Sequence, residues 1–195
     1  MNTEIEARLL EVDANEFENR LKRNNATKIG DWLQLRYCYD FNPIKPNSWI
    51  RLRTNGKETT LTIKEINSST IDGTKELEIA VSDFYATNEI LNKLGYTARS
   101  IQENRRIRYI LNNVEIDIDF WPMIPTYVEF EADSVEKIIE VCNILKIDYN
   151  KLVTMDVKSI YQHYGIDLST SPIIKLEESR KQNNNNESQI NSHEI

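Results

Sequence analysis

Polar and apolar positions alternate along most of this chain, with period 2. Glu4-Ile5-Glu6-Ala7-Arg8, Arg51-Leu52-Arg53, Lys75-Glu76-Leu77-Glu78-Ile79, Arg106-Ile107-Arg108, Asp117-Ile118-Asp119 and Glu129-Phe130-Glu131 all show it. Successive side chains of a strand point to opposite faces, so these runs predict strands. The full pattern predicts strands over 4–12, 32–41, 49–55, 58–66, 74–81, 98–102, 105–112, 114–121 and 126–132. Asn112-Asn113 is a two-residue hairpin turn, because Asn tolerates positive φ. Four helices interrupt the strands. The first follows Asp13 as N-cap, with Phe17 and Leu21 at helical spacing. The second runs from Ser82 or Asp83 to about 94 and is stopped by Gly95. Ser134 caps a third over 135–145, and a shorter fourth spans 156–164 before Gly165.

On an ordinary two-faced sheet the polar side mixes Thr, Ser, Lys and Glu loosely. Here the polar positions are sorted by sign, carboxylates on some strands and guanidinium or ammonium groups on others. That sorting predicts a mostly β (α+β) fold, an antiparallel barrel with a charged, wet interior and helices packed outside. A length of 195 residues suits one domain, expected over 1–170, followed by a polar tail over 176–195 that contains four consecutive asparagines and His193. A net charge of −7 and a pI near 5.0 argue against non-specific nucleic-acid binding. Cys38 and Cys142 are far apart, with no CxxC spacing and no histidine cluster, so neither zinc nor a disulfide framework is expected. No apolar run approaches the ~18 residues of a membrane span, and the start of the chain does not resemble a signal peptide. The expectation is a cytoplasmic protein, monomer or homodimer.

Glu4 and Glu6 share one strand face, roughly 6.5–7 Å apart by strand rise, and Glu129 and Glu131 form a second such pair. One ExE pair is ordinary surface chemistry on any solvated strand. Two pairs brought together need protonation or a cation to relieve their repulsion, and oxygen-only ligands suit Mg²⁺ or Mn²⁺. Arg51, Arg53, Lys64, Arg106 and Arg108 supply the opposite sign. Arginine forks match phosphate oxygens and lysine acts as a point charge, so a ring of them suits an extended polyphosphate.

These residues, in order, resemble the CYTH superfamily, the triphosphate tunnel metalloenzymes. Glu4-Ile5-Glu6-Ala7-Arg8 is similar to the family's ExExK signature. The likeness continues through Tyr37-Cys38-Tyr39-Asp40, Trp49-Ile50-Arg51-Leu52-Arg53, Thr62-Ile63-Lys64 and Glu76-Leu77-Glu78. It ends with Asp117-Ile118-Asp119-Phe120-Trp121-Pro122 and Tyr127-Val128-Glu129-Phe130-Glu131, covering residues 3 to about 168. The resemblance implies an eight-stranded antiparallel tunnel barrel and a small-molecule triphosphate as partner. It also implies Mg²⁺ or Mn²⁺ on Glu4, Glu6, Glu129 and Glu131, assisted by Asp119. Arg8, Arg51, Arg53, Lys64, Arg106 and Arg108 would bind substrate, with Lys158 covering one mouth, and Glu76 and Glu78 would orient the cations. Glu4, Glu6 and Arg106 would be the catalytic members, and Trp121 and Tyr127 would pack.

The family groups class IV adenylate cyclases, thiamine triphosphatases and inorganic tripolyphosphatases. The expected activity is divalent-metal-dependent hydrolysis of a triphosphate. Cyclic AMP synthesis from ATP and non-catalytic polyphosphate or nucleotide binding are the alternatives. Two positions depart from the family pattern. Arg8 replaces the final lysine of ExExK, and Asn104 stands at the lysine of a Lys-x-Arg strand if Arg106 is its arginine. Arginine is a poor general base, so any activation of water falls to metal.

Overall fold

The computed structural model describes residues 1–168 and 172–176. Of the expected polar tail only Leu176 lies within the described residues, and His193 lies outside them. Eight strands close a barrel in the order β2-β3-β4-β5-β1-β8-β7-β6, with β6 returning to β2, all antiparallel. They are β1 (Asn2–Leu9), β2 (Thr27–Tyr39), β3 (Ser48–Thr54), β4 (Thr59–Ile66), β5 (Thr74–Ala80), β6 (Ser100–Leu111), β7 (Val114–Phe120) and β8 (Tyr127–Ala132). Closure removes every free edge. A short ninth strand, β9 (Ile173–Ile174), pairs in parallel with Ile101 and Gln102, on the stretch of β6 that β7 does not reach.

Four helices cover the barrel from outside: α1 (Ala14–Arg23), α2 (Phe84–Lys93), α3 (Val135–Ile144) and α4 (Val157–His163). Asp13, Asp83, Ser134 and Asp156 cap them, each side chain accepting from a backbone N–H three residues on. Gly95 and Gly165 follow α2 and α4 at positive φ, where a Cβ would be strained. Asn112 and Asn113 both take positive φ, as the tight β6–β7 turn requires.

The outward faces of the strands carry the core. Phe17 and Leu21 of α1 and Ile138 and Val141 of α3 pack on Ile107, Ile116, Ile118, Val128 and Phe130. Phe84 and Leu91 of α2 cover Tyr39, Ile50 and Leu52. Fully burying a side chain of this size contributes about 1.5–3 kcal/mol, so these contacts fix the helices and leave the barrel interior to polar groups. A third cluster, with Trp121, Tyr127 and the α4 residues Ile160 and Tyr161, lies at one end of the barrel.

Three elements differ from the sequence pattern. β6 is one strand rather than two, because Gln102 and Asn104 face a wet interior where polar side chains do not end a strand. β2 begins at Thr27 rather than 32, carried past a register shift between Lys28 and Gly30. β1 stops at Leu9 rather than 12, and Glu11 takes positive φ as the chain turns into α1.

Candidate functional site

The barrel encloses a cavity of about 770 Å³ lined by side chains from all the barrel strands but β7's last residues. At one end it opens between the β2–β3 loop (Ile44–Asn47 in sequence), the β4–β5 loop (Ser68, Ser69, Thr70) and α4. A smaller cavity of about 180 Å³, lined by Asn55, Lys57 and Glu58 of the β3–β4 turn, shares Arg53, Arg106 and Arg108 with it. That turn lies at the opposite end of the antiparallel strands, so the interior runs lengthwise as a tunnel. The tunnel predicted from sign-sorted strands is present.

Carboxylates gather on β1, β8 and β7. Glu6 faces Glu131 across the β1–β8 pair, and Glu131 faces Glu115 across β8–β7, so three acids form one cross-strand row. Like charges directly opposite one another are destabilising. Burial, then Glu129 and Glu115, push Glu131 up to about 7. Glu4, beside Lys64 on β4, is raised to about 8 by burial and by its hydrogen bond with Glu76. Burial acts upward on Glu76 too, but Arg51, Glu4 and Lys64 outweigh it and hold that carboxyl at about 2. Lys64 Nζ lies 2.8 Å from both Glu4 and Glu76.

Cations line the other walls. Arg51 Nη2 lies 3.3 Å from both Glu76 and Glu78, and Arg53 Nη2 lies 3.5 Å from Glu78. Glu76 and Glu78 therefore touch the cations they were expected to orient. Burial and the guanidiniums of Arg51, Arg36 and Arg106 lower Arg53 to about 9. The β6 arginines are more tightly held. Arg106 donates to Asp119 through Nε and Nη2 at 2.9 and 2.5 Å, to Asp117 through Nη1 at 2.5 Å, and to Glu129 at 3.1 Å. Arg108 reaches Asp117 at 2.7 Å and Glu115 at 2.6 Å. Arg8 donates to Glu6 at 2.9 Å and to the Met155 carbonyl at 2.7 Å, and lies 2.5 Å from Glu129. Lys158 is exposed on α4 and lines the mouth.

Asp119 sits apart from this wall. It is completely buried, and both its oxygens are taken by Arg106, with Asn104 Nδ2 also donating to one of them at 3.0 Å. It does not line the cavity, and its bonds go to Arg106 and Asn104. Trp121 and Tyr127 pack, as expected. Glu115 and Arg36 are among the cavity-lining residues that escaped the sequence reading. Glu115 extends the Asp117-Ile118-Asp119 alternation backward by one step, and Arg36 lies in the alternating run Gln34-Leu35-Arg36-Tyr37-Cys38. Both signals were visible, but neither residue falls in a paired motif.

No three His, Cys, Asp or Glu side chains among the described residues form a closed metal cage. The donor set nevertheless fits a hard cation: Glu4, Glu6, Glu115 and Glu131 offer only oxygens, and burial with neighbouring carboxyls raises two of them. No helix among the described residues is long and apolar enough to cross a membrane.

The barrel is a closed, eight-stranded antiparallel tunnel whose bore is lined by interleaved carboxylates and guanidiniums. A family profile for the CYTH domain matches residues 2–182, and the chain belongs to that family, whose members are generally divalent-metal-dependent enzymes. Among curated proteins none matches the chain significantly. Solved structures share the fold. A conserved hypothetical protein from Pyrococcus furiosus is 22% identical, with a TM-score of 0.69 over 81% of this chain and 99% of that one. A candidate adenylate cyclase from Vibrio parahaemolyticus is 13% identical, with a TM-score of 0.70 over 83% of this chain and 98% of that one. A candidate adenylyl cyclase from Hippeastrum, described as having a dominant triphosphatase activity, is 14% identical, with a TM-score of 0.56 over 83% and 96%.

Proposed function

We propose that this chain is a divalent-metal-dependent hydrolase of a triphosphate-bearing molecule, inorganic tripolyphosphate or an organic triphosphate. One observation carries the reading: a single bore joins buried, crowded carboxylates, raised toward neutrality, to a guanidinium cluster in which burial and neighbouring guanidiniums push Arg53 down. A metal–triphosphate complex would supply counter-charge to both groups. Arg51 and Arg53 would grip phosphate oxygens through their planar forks and Lys64 as a point charge, all three steadied by Glu76 and Glu78. Glu4, Glu6, Glu115 and Glu131 would hold Mg²⁺ or Mn²⁺, with Glu129 behind them bound to Arg8 and Arg106. Such an ion, when bound, neutralises phosphate charge and lowers the pKa of water.

Arg106, fixed by Asp117, Asp119 and Glu129, would present a pre-positioned positive charge to the phosphate oxygens as the terminal P–O bond breaks. Lys158 would meet the end of the ligand at the mouth. Arg8, held through its Nη atoms by two carboxylates and a carbonyl, would act as a fixed charge and not as a base. The cavity lies within the range of small-molecule sites and has room for a nucleoside triphosphate, which keeps cyclisation of ATP as the second reading. The test is to supply tripolyphosphate, thiamine triphosphate and ATP with Mg²⁺ or Mn²⁺ and to measure orthophosphate, pyrophosphate and cyclic AMP. Metal-dependent orthophosphate is the expected product. Cyclic AMP with pyrophosphate would favour the second reading, and no product from any substrate would leave a binding module.

A further inference from the structure

We infer that Arg36 grips a phosphate of the bound ligand, as a cation of the tunnel wall that meets an anion without first giving up a carboxylate. The inference rests on the tunnel being an anion site and deepens that reading. On β2, Arg36 lies between Arg53 of β3 and Gln102 of β6, in the interior register. It is 5% exposed and lines the main cavity. Arg8, Arg51, Arg53, Lys64, Arg106 and Arg108 each have a carboxylate within 3.5 Å. Among the described residues no carboxylate bonds to Arg36. Its Nη2 donates to Gln34 Oε1 at 2.7 Å, and its buried Nε has no hydrogen-bond partner; the Nε atoms of Arg8 and Arg51 are equally unpartnered, but those two guanidiniums hold carboxylates through Nη2 and Arg36 does not.

A guanidinium carries five N–H donors, and leaving a buried charge unpaired is costly unless an anion offsets it. The protein brings none to bonding distance. Gln34, Gln102 and Asn104 are neutral, and Asp119, which Arg106 holds, acts on Arg36 less strongly than the guanidiniums of Arg106 and Arg51. Burial and those two guanidiniums lower it to about 10. The Trp121 ring holds the guanidinium from one side, 4.7 Å from centroid to Cζ. Stacking of this kind fixes the plane of the fork while leaving its in-plane donors available. A pre-positioned, under-bonded fork on the wall of a cationic bore is matched by a tetrahedral oxyanion. A purely structural arginine would be expected to have its donors satisfied.

The test uses the full chain, metal-free, titrated calorimetrically with tripolyphosphate and with pyrophosphate. A lost charge-assisted hydrogen bond corresponds to roughly 10–100-fold in affinity, the fall expected for Arg36→Gln. Arg36→Lys, which keeps the charge but loses the fork, is expected to lose less. The ligand-free Arg36→Gln protein should melt at or above the wild-type temperature, because an unpaired buried charge has gone. Affinity within two-fold of wild type, with a lower ligand-free melting temperature, would overturn the inference in favour of a structural role. Should Arg36→Gln fail to fold, wild-type affinity in Arg36→Lys overturns it and a clear loss supports it. Lost affinity in the variant, with no phosphate release by wild type, sustains the inference while the hydrolase reading falls. Unchanged affinity with normal turnover does the reverse. No binding of either anion to wild type overturns both.

Discussion

Glu131 faces Glu6 on one side and Glu115 on the other, and burial together with this crowding sets the pH dependence of the ligand-free protein. Its carboxyl rises from 4.5 to about 7, and that of Glu4 to about 8. Between those values the folded state binds more protons than the unfolded chain, so stability falls as pH rises. The stabilising share is fully present below about 4.5 and is lost through about 7 and about 8. Glu76, held at about 2, acts oppositely: its share is present above 4.5 and lost as pH falls through about 2. Denaturant melts without metal should therefore show greatest stability near pH 4.5–5 and a decline toward pH 8, which millimolar Mg²⁺ or Mn²⁺ removes. A flat profile from pH 5 to 8 would show that the acids are not crowded. Glu131→Gln should stabilise the ligand-free protein at pH 8 by on the order of 2–3 kcal/mol and cancel the metal's effect. Arg8→Ala should act the other way. It leaves Glu6 and Glu129 without their shared partner, a loss of about 3–5 kcal/mol measurable by urea unfolding.

Among the elements, β1, β3, β4, β5 and β8 were legible because their polar positions alternate with apolar ones, packed in the core except on β5, where Leu77 and Ile79 are exposed. The helix caps and the Asn112–Asn113 turn were legible for local reasons, since each side chain or φ angle serves its own few residues. β6 was read as two strands because Gln102, Glu103 and Asn104 look like a loop until the interior is known to be wet. β9 has two residues and pairs more than 70 positions away, which no local pattern reveals. The charged pairs of the site were visible, while Arg36 and Glu115 stand singly and gain meaning only from the strands beside them. The early start of β2 depends on Gly30. A Cβ there would lie 1.9 Å from Trp32 Cζ2, because the indole rests on the glycine backbone. Gly30→Ala should cost roughly 1–3 kcal/mol of stability through overpacking, and the cost should vanish in a Trp32→Ala background. An equal penalty in both backgrounds would place its origin in the backbone instead.

Across the whole molecule, closure of the sheet forces charged faces that would otherwise be solvated to meet across a bore. The Glu6–Glu131–Glu115 row and the neighbouring guanidiniums of Arg36, Arg51, Arg53 and Arg106 each crowd like charges, and on this account metal relieves the first and polyphosphate the second. Because binding free energies are linked, each should tighten the other by the same factor. A ligand at about 100 times its dissociation constant adds roughly 2.7 kcal/mol to stability, so the pair together should raise the melting temperature more than the sum of each alone. The most direct measurement is calorimetric titration of the full chain with tripolyphosphate, with and without Mg²⁺ or Mn²⁺, in wild type and Glu131→Gln. The account predicts tighter binding with metal in wild type and loss of that gain in the variant. Identical wild-type dissociation constants with and without metal would contradict a shared metal–triphosphate site in the tunnel.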